Sequence, residues 1–187
     1  MTWPSDYACA PGLRAASGPY AVRPIAWSDR EPIRQWRNEQ IDVLRQAAPL
    51  TADDQDHYYD RVLRPQFSAD RPPQVLLAFT VDGVLQGYGG VVHLAWPDLR
   101  GEVSFLTATD RLEEDVFRED WTAWLGLLVP LARDVLGLHK LTTETYAFRT
   151  TLIPLLEEHG FVLEGTLREH HRLDGRWITS LAHGLLL

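Results

Sequence analysis

The pattern of apolar and polar residues predicts a chain of strands interrupted by helices. In the C-terminal quarter, Leu141–Tyr146 is rich in β-branched and aromatic residues and predicts a strand. A short helix is predicted to begin near Thr150 and to end at Gly160. Two further strands, Phe161–His171 and Trp177–Leu187, are separated by an Asp-Gly turn. The order is therefore strand, short helix, strand and strand.

The rest of the chain continues the same alternation. We expect a flexible N-terminal extension over residues 1–19, which are rich in Ala, Pro, Gly and Ser and show no periodicity, and a single domain over residues 20–187. The predicted elements are a strand over Tyr20–Ile25, a helix after Ser28 or Asp29, a helix over Thr51–Leu63, strands over Gln74–Val81, Val84–Ala95 and Gly101–Leu106, and a helix over Phe117–Val135.

Composition and charge exclude several classes of protein. The 187 residues include 18 Lys and Arg against 26 Asp and Glu, which gives a net charge of −8. That charge repels phosphate backbones, so we expect no nucleic-acid partner. Neither a signal peptide nor a membrane span is predicted, and Cys9 is the only cysteine, so the sequence predicts a cytoplasmic protein.

The seven histidines do not predict a metal site. His170 and His171 are adjacent on a predicted strand, so their side chains should point to opposite faces. No His-x-x-x-His pattern and no pair of cysteines is present. We therefore expect no bound metal.

Four C-terminal segments resemble a known family. They are Leu136–Lys140, Leu156–Phe161, Glu164–Glu169 and Asp174–Trp177. In this order they resemble the C-terminal half of the GNAT superfamily of N-acyltransferases, and within it the branch with ribosomal-protein alanine and amino-sugar acetyltransferases. The resemblance implies an α/β (α+β) fold: a mixed, mostly antiparallel sheet of about seven strands, splayed between strands four and five, with about four helices on both faces.

The resemblance also implies a reaction, the transfer of an acetyl group from acetyl-CoA to a primary amine. Glu102, on the predicted strand Gly101–Leu106, matches the position of a glutamate that faces the acceptor. A surface glutamate or an ion-pair partner is the alternative interpretation. Tyr146 is the candidate to protonate the departing thiolate, because Leu156 stands where the family often has a tyrosine, and His93 is a second candidate base.

The two early helices wall the acceptor site in this family. The candidate acceptor-binding residues there are Trp36, Arg37, Asn38, Arg45, Gln46 and Tyr58, with Gln55 and Tyr59 beside them. A solvated amphipathic helix pair is the alternative. The Trp-Arg-Asn and Leu-Thr-x-x-Asp-Gln-x-x-Tyr-Tyr segments resemble transferases of surface-polysaccharide pathways, which points to an amino-sugar acceptor.

The loop that usually holds the coenzyme A pyrophosphate departs from the family pattern. Residues 110–118 contain no glycine, and four of the nine are acidic. Either the acids point to solvent while an arginine serves the phosphate, or coenzyme A binds differently, or it does not bind. The candidate donor-binding residues are the backbone of Phe105, Leu106 and Thr107 and the side chains of Arg111, Arg118 and Arg149.

Three functional hypotheses remain open at this level. The first is an N-acetyltransferase that uses acetyl-CoA, the second a GNAT-like module that has lost coenzyme A binding, and the third a transferase with another acyl donor. The expected partner is a small-molecule amine, with no nucleic acid and no membrane. The exposed strand edges fit a monomer or a homodimer equally well.

Overall fold

The computed structural model describes residues 2–44 and 46–187, which form one eight-stranded sheet with five α-helices. The strands are β1 (Ala15–Ser17), β2 (Tyr20–Pro24), β3 (Val75–Val81), β4 (Val84–Ala95), β5 (Arg100–Thr107), β6 (Lys140–Tyr146), β7 (Val162–Leu173) and β8 (Arg176–Leu186). The helices are α1 (Arg30–Glu39), α2 (Ala52–His57), α3 (Arg64–Gln66), α4 (Glu114–Asp134) and α5 (Leu152–Glu158). A π-helical segment, Tyr58–Leu63, joins α2 to α3.

The strand order is β1-β2-β3-β4-β5-β6-β8-β7, and every neighbouring pair is antiparallel except β5 and β6. Those two strands run parallel and pair over only three residues, from Arg100 with Lys140 to Glu102 with Thr142. Beyond Glu102 they diverge, and the sheet opens. The mixed sheet with a splay between these strands confirms the predicted fold class.

Helices cover the two faces of the sheet differently. On one face, the ring of Phe105 on β5 stacks on Trp124 of α4 at 4.5 Å, and the buried Leu155 and Leu156 of α5 extend this core. On the other face, α1 lies over the first half of the sheet, where Arg37 hydrogen-bonds to Tyr88 of β4 at 2.7 Å. Side chains alternate between faces along a strand, so Glu102 lies on the α1 face and Phe105 on the α4 face.

The N-terminal segment differs from the predicted loose extension. Tyr7, Ala10 and Leu13 are at most 1% exposed, and β1 adds an eighth strand by pairing with β2. The Tyr7 hydroxyl accepts from the Leu76 amide at 2.9 Å and donates to the Leu76 carbonyl at 3.2 Å. Its ring also stacks on Phe67 at 4.1 Å. A few well-placed apolar side chains hold this segment without any regular period.

Strand β4 approaches its neighbours too closely for side chains at two glycines. A Cβ at Gly89 would overlap the Ser104 carbonyl oxygen, and one at Gly90 would overlap the Val75 carbonyl oxygen. The pairing of β4 with β5 then slips between Val92 and Ala95, where His93 has a left-handed backbone with φ of 50°. This bulge re-aims the end of β4 beside the opening in the sheet. Within the described residues, no helix combines the length and apolar character needed to cross a membrane.

Candidate functional site

The opening between β5 and β6 contains a cavity of about 330 Å³. Consecutive residues of both strands line it, Glu102–Phe105 on one side and Thr143–Tyr146 on the other. Trp121 of α4, together with Leu152 and Leu156 of α5, contributes apolar surface. The walls thus combine unpaired strand edges with apolar side chains, which suits a long, narrow ligand that carries amide groups.

The three candidate catalytic residues line this one cavity. They are Glu102 on β5, His93 at the β4 bulge and Tyr146 at the end of β6. Glu102 is half-buried and Tyr146 is buried, so neither belongs wholly to bulk solvent. The structure therefore places a carboxylate, an imidazole and a phenol around the same space.

A further acidic residue, Glu144, lies in the same cavity and was not among the predicted site residues. It shares its face of β6 with Tyr146, two residues further on, so alternation along the strand would place Glu144 in the same cavity as Tyr146. Its carboxylate lies 2.6 Å from Nε2 of His171 on β7. The Tyr146 ring packs edge-on against that imidazole, with 5.4 Å between centroids.

A second cavity, of about 280 Å³, lies on the α1 side of the sheet. Arg37, Val92 and Ser104 line both cavities, so the two are adjacent. The second cavity also contains Asp54, Gln55, Tyr58, Tyr59, Gln74 and Tyr88. Burial raises the pKa of Tyr58, whose hydroxyl accepts from Gln74 at 2.7 Å. This cavity is mostly apolar with a few polar groups, as small-molecule sites are.

The predicted acceptor residues divide into three groups. Arg37 and Tyr58 line the second cavity, as do Gln55 and Tyr59. Asn38 and Gln46 instead hold the loop after α1, since Asn38 accepts from the Leu50 amide at 2.7 Å and from Gln46 at 3.1 Å.

Trp36 lines neither of the two adjacent cavities. Trp36 lines a separate surface groove beside Asp110. Arg45 lies outside the described residues.

The acidic loop and the start of α4 make their own ion pairs. Arg111 donates two hydrogen bonds to Asp120, at 2.6 and 2.7 Å, and Arg118 donates to Glu158 at 2.8 and 3.1 Å. Glu113 caps α4 by accepting from the Val116 amide at 3.3 Å. Two of the three predicted phosphate-binding arginines are thus engaged with carboxylates, and the helix N-terminus carries an anion of its own.

Arg149 differs from those two arginines. Its side chain lines the cavity between β5 and β6 and also the neighbouring groove beside the start of α4. Desolvation by burial lowers the pKa of its guanidinium, which lies 5.9 Å from the Phe117 ring centroid. Within the described part of the chain, no acidic side chain forms an ion pair with Arg149. A half-buried cation with no acidic partner among the described residues favours an anionic ligand.

The predicted backbone contacts lie along β5. Phe105 lines the cavity, and Leu106 and Thr107 follow it as buried residues. The Thr107 carbonyl accepts from Gln40, at the end of α1, at 2.9 Å. Only Phe105 of the three therefore reaches the cavity wall.

Comparisons with known proteins agree with this geometry. A family model of the acetyltransferase (GNAT) domain matches residues 22–182. A spermidine N-acetyltransferase from Vibrio cholerae, solved in complex with CoA and spermine, superimposes with a TM-score of 0.76 at 17% identity, over 90% of this chain and 95% of that one. The ribosomal-protein-S5-alanine acetyltransferase from Vibrio fischeri gives a TM-score of 0.72 at 15% identity, over 92% and 96%.

No curated protein sequence matches the chain at a significant level. The identities to the solved structures are low, so those structures show the fold alone. The family match is of a different kind, because it covers most of the chain, from within β2 to within β8. The chain therefore belongs to the GNAT family of acetyltransferases.

Proposed function

We propose that this chain moves an acetyl group from acetyl-CoA to the primary amine of a small molecule or a peptide N-terminus, by direct attack. The observation that carries the proposal is the cavity in the splay, open between β5 and β6 and lined by Glu102. Had the chain's own side chains filled that opening, no thioester would fit. The second cavity adjoins it through Arg37 and Ser104 and supplies space for the acceptor.

Glu102 is the proposed general base. An ammonium group must lose a proton before its nitrogen attacks a thioester carbonyl, and a positioned base contributes about 10²–10⁴-fold. Half-burial next to the acceptor cavity suits Glu102 for this step. His93 lines the same cavity and is the second candidate for the role.

Tyr146 is the proposed acid for the leaving group. The thiolate of coenzyme A must gain a proton when the carbon–sulfur bond breaks, and the hydroxyl of a phenol can supply it. Tyr146 lines the cavity from β6, across from the β5 residues that include Glu102. The two candidates therefore border the reaction space from its two opposite strands.

Arg149 is the proposed donor anchor. A carboxylate about 4 Å from a phosphate charge costs about 4 kcal/mol at an intermediate dielectric, so the acidic start of α4 cannot hold the pyrophosphate by itself. Arg149 offers a half-buried positive charge that lines both the cavity in the splay and the groove beside Phe117. Arg111 and Arg118 are assigned to their ion pairs rather than to the donor.

The acceptor's chemistry follows from the charges around the two cavities. Glu102, Glu144 and Arg149 line the cavity in the splay, Asp54 lines its neighbour, and Arg37 lines both. Three carboxylates against two guanidinium groups leave an excess of negative charge, which favours a cationic amine over an anionic nucleophile. Amino sugars, polyamines and N-terminal alanine peptides all present such an amine, and they form the panel to be tested.

The deciding experiment measures coenzyme A release with this acceptor panel for the wild type and Glu102→Gln. Glu119→Gln is the matched control, because that glutamate is exposed on α4 and lines neither of the two adjacent cavities. We expect Glu102→Gln to lower kcat at neutral pH by about 10²-fold or more, with the control unchanged. Near-full turnover by Glu102→Gln removes this residue as the base.

A second function, a ligand-binding module without catalysis, is favoured by one observation. Glu113 occupies the α4 N-terminus where phosphates usually bind, and both nearby arginines are paired. Calorimetry with acetyl-CoA separates the two functions. The enzyme hypothesis expects saturable binding that Arg149→Gln weakens and Arg133→Gln, at an exposed surface ion pair, does not. No heat at millimolar donor supports the module.

A further inference from the structure

Strand β7 contains a bulge that places two histidine rings together. Its pairing with β8 slips between Leu167 and His171, and Glu169 adopts a left-handed backbone with φ of 52°. On a regular strand His170 and His171 would point to opposite faces, as the sequence predicts. In the structure their rings pack edge-on, with centroids 4.7 Å apart. The prediction of opposite faces is therefore wrong, and the bulge is the reason.

A carboxylate completes this group. Oε1 of Glu144 lies 2.6 Å from Nε2 of His171, and one donor atom from each of Glu144, His170 and His171 lies within 4.8 Å of the others. Glu144 and His171 are half-buried, while His170 is exposed. The three side chains come from two strands that are not neighbours, since β8 lies between β6 and β7. Folding is thus required to bring them together.

We propose that Glu144, His170 and His171 bind a divalent transition-metal ion of the zinc class. Two imidazoles and one carboxylate are a donor set that Zn²⁺ accepts, at about 2.0–2.2 Å from each donor atom. In a tetrahedral complex the donor atoms are therefore about 3.4 Å apart. The observed separations, from 2.6 Å to at most 4.8 Å, bracket that value. Small side-chain rotations bring the donors into position.

Metal binding requires Glu144 and His171 to move slightly apart, because the metal replaces the proton in the hydrogen bond between them. The hydrogen bond between Glu144 and His171 is too short for two ligands of one ion, so the pair must separate by less than 1 Å when the metal replaces the shared proton. His170 is exposed, so its ring can turn from its edge-on contact with His171 toward the ion without displacing core residues. Three protein ligands leave one coordination position for water or a ligand.

The position of Glu144 links this site to the acceptor. Its carboxylate also lines the cavity between β5 and β6, beside Glu102. This step rests on the proposed function: the metal would neutralise one of the carboxylates that attract a cationic amine. Bound zinc is then expected to raise the acceptor's KM and to leave the affinity for acetyl-CoA unchanged.

The test is calorimetric titration of the full chain with ZnCl₂, without donor or acceptor. We expect one Zn²⁺ per chain, with affinity reduced by more than about tenfold in His170→Ala and Glu144→Gln. His139→Ala is the matched control, because that histidine is exposed and lies outside the cluster. Circular dichroism confirms folding, and exposure of His170 makes His170→Ala the variant that least disturbs the sheet.

The outcomes are distinct from those of the acetyl-transfer experiments. Zinc affinity of the wild type that survives in His170→Ala, or no zinc binding at submillimolar concentration, overturns the site. Loss of acetyl transfer with normal zinc binding would instead reject the proposed function and leave the metal site standing.

Discussion

The ion pair between Arg111 and Asp120 provides a test of what the acidic loop does. Asp120 on α4 is completely buried, whereas the Arg111 side chain is 20% exposed. Two hydrogen bonds, at 2.6 and 2.7 Å, join their side chains, and they raise the pKa of Arg111. The pair therefore has one partner that can reach water and one that cannot.

Because the two partners differ in exposure, replacing each of them should cost a different amount of unfolding free energy. Arg111→Ala leaves a buried carboxylate without its counter-charge, which costs about 3–5 kcal/mol of the free energy of unfolding. Asp120→Asn leaves the partly exposed guanidinium, which can turn to solvent, so we expect about 1–3 kcal/mol. Urea-induced unfolding of the two variants measures both values, and a double variant measures the coupling between them.

The same variants separate a structural role from donor binding. If Arg111 stays bonded to Asp120 when the donor is bound, Arg111→Ala should bind acetyl-CoA within about twofold of the wild-type affinity. The measurement is made well below the unfolding temperature of the variant. An Arg111→Ala protein as stable as the wild type, with donor affinity reduced tenfold, would show that the arginine serves a phosphate and would refute this reasoning.

Three further substitutions test the fold. Tyr7→Phe should lower the free energy of unfolding by about 1–3 kcal/mol, because the buried Leu76 amide loses its acceptor, whereas the Leu76 carbonyl keeps the Ile25 amide; unchanged stability in urea would show that water replaces the hydroxyl. Gly126→Ala, on an exposed and uncrowded turn of α4, should raise the unfolding free energy by about 0.5–1 kcal/mol. Gly89→Ala should instead lower the midpoint of thermal unfolding sharply, since its Cβ would overlap the Ser104 carbonyl, and a normal midpoint would contradict the close strand approach.

Alternation along the chain predicts most of the sheet, because each strand has one buried face. Periodicity does not predict the N-terminal segment, because its buried residues Tyr7, Ala10 and Leu13 are irregularly spaced. The residues that bury this segment, such as Leu76 and Phe67 around Tyr7, are distant in the sequence and come together only on folding. A period of two or of 3.6 residues was absent, so the sequence indicated a loose extension.

The candidate site shows the same division. Glu102 is nominated by the resemblance to the family, and alternation along the strand adds only that it shares a face with Ser104. The cluster at His171 was not predictable, since it depends on a left-handed backbone at Glu169, a residue type that gives no signal for φ above zero. The pairing of Arg111 with Asp120 was equally hidden, because residues nine apart have no fixed geometry when a turn separates them.

The brevity of the ladder between β5 and β6 has a thermodynamic consequence. Three paired residues join β5 to β6, and beyond Glu102 the edges of these two strands stand apart around the cavity. A ligand with amide groups bound there would hydrogen-bond to both strands and link the two halves of the sheet. At a concentration one hundred times its dissociation constant, such a ligand adds about 2.7 kcal/mol to the free energy of unfolding of the chain. Amide-exchange protection in β6 and β8 would then measure occupancy of the cavity, even with no turnover.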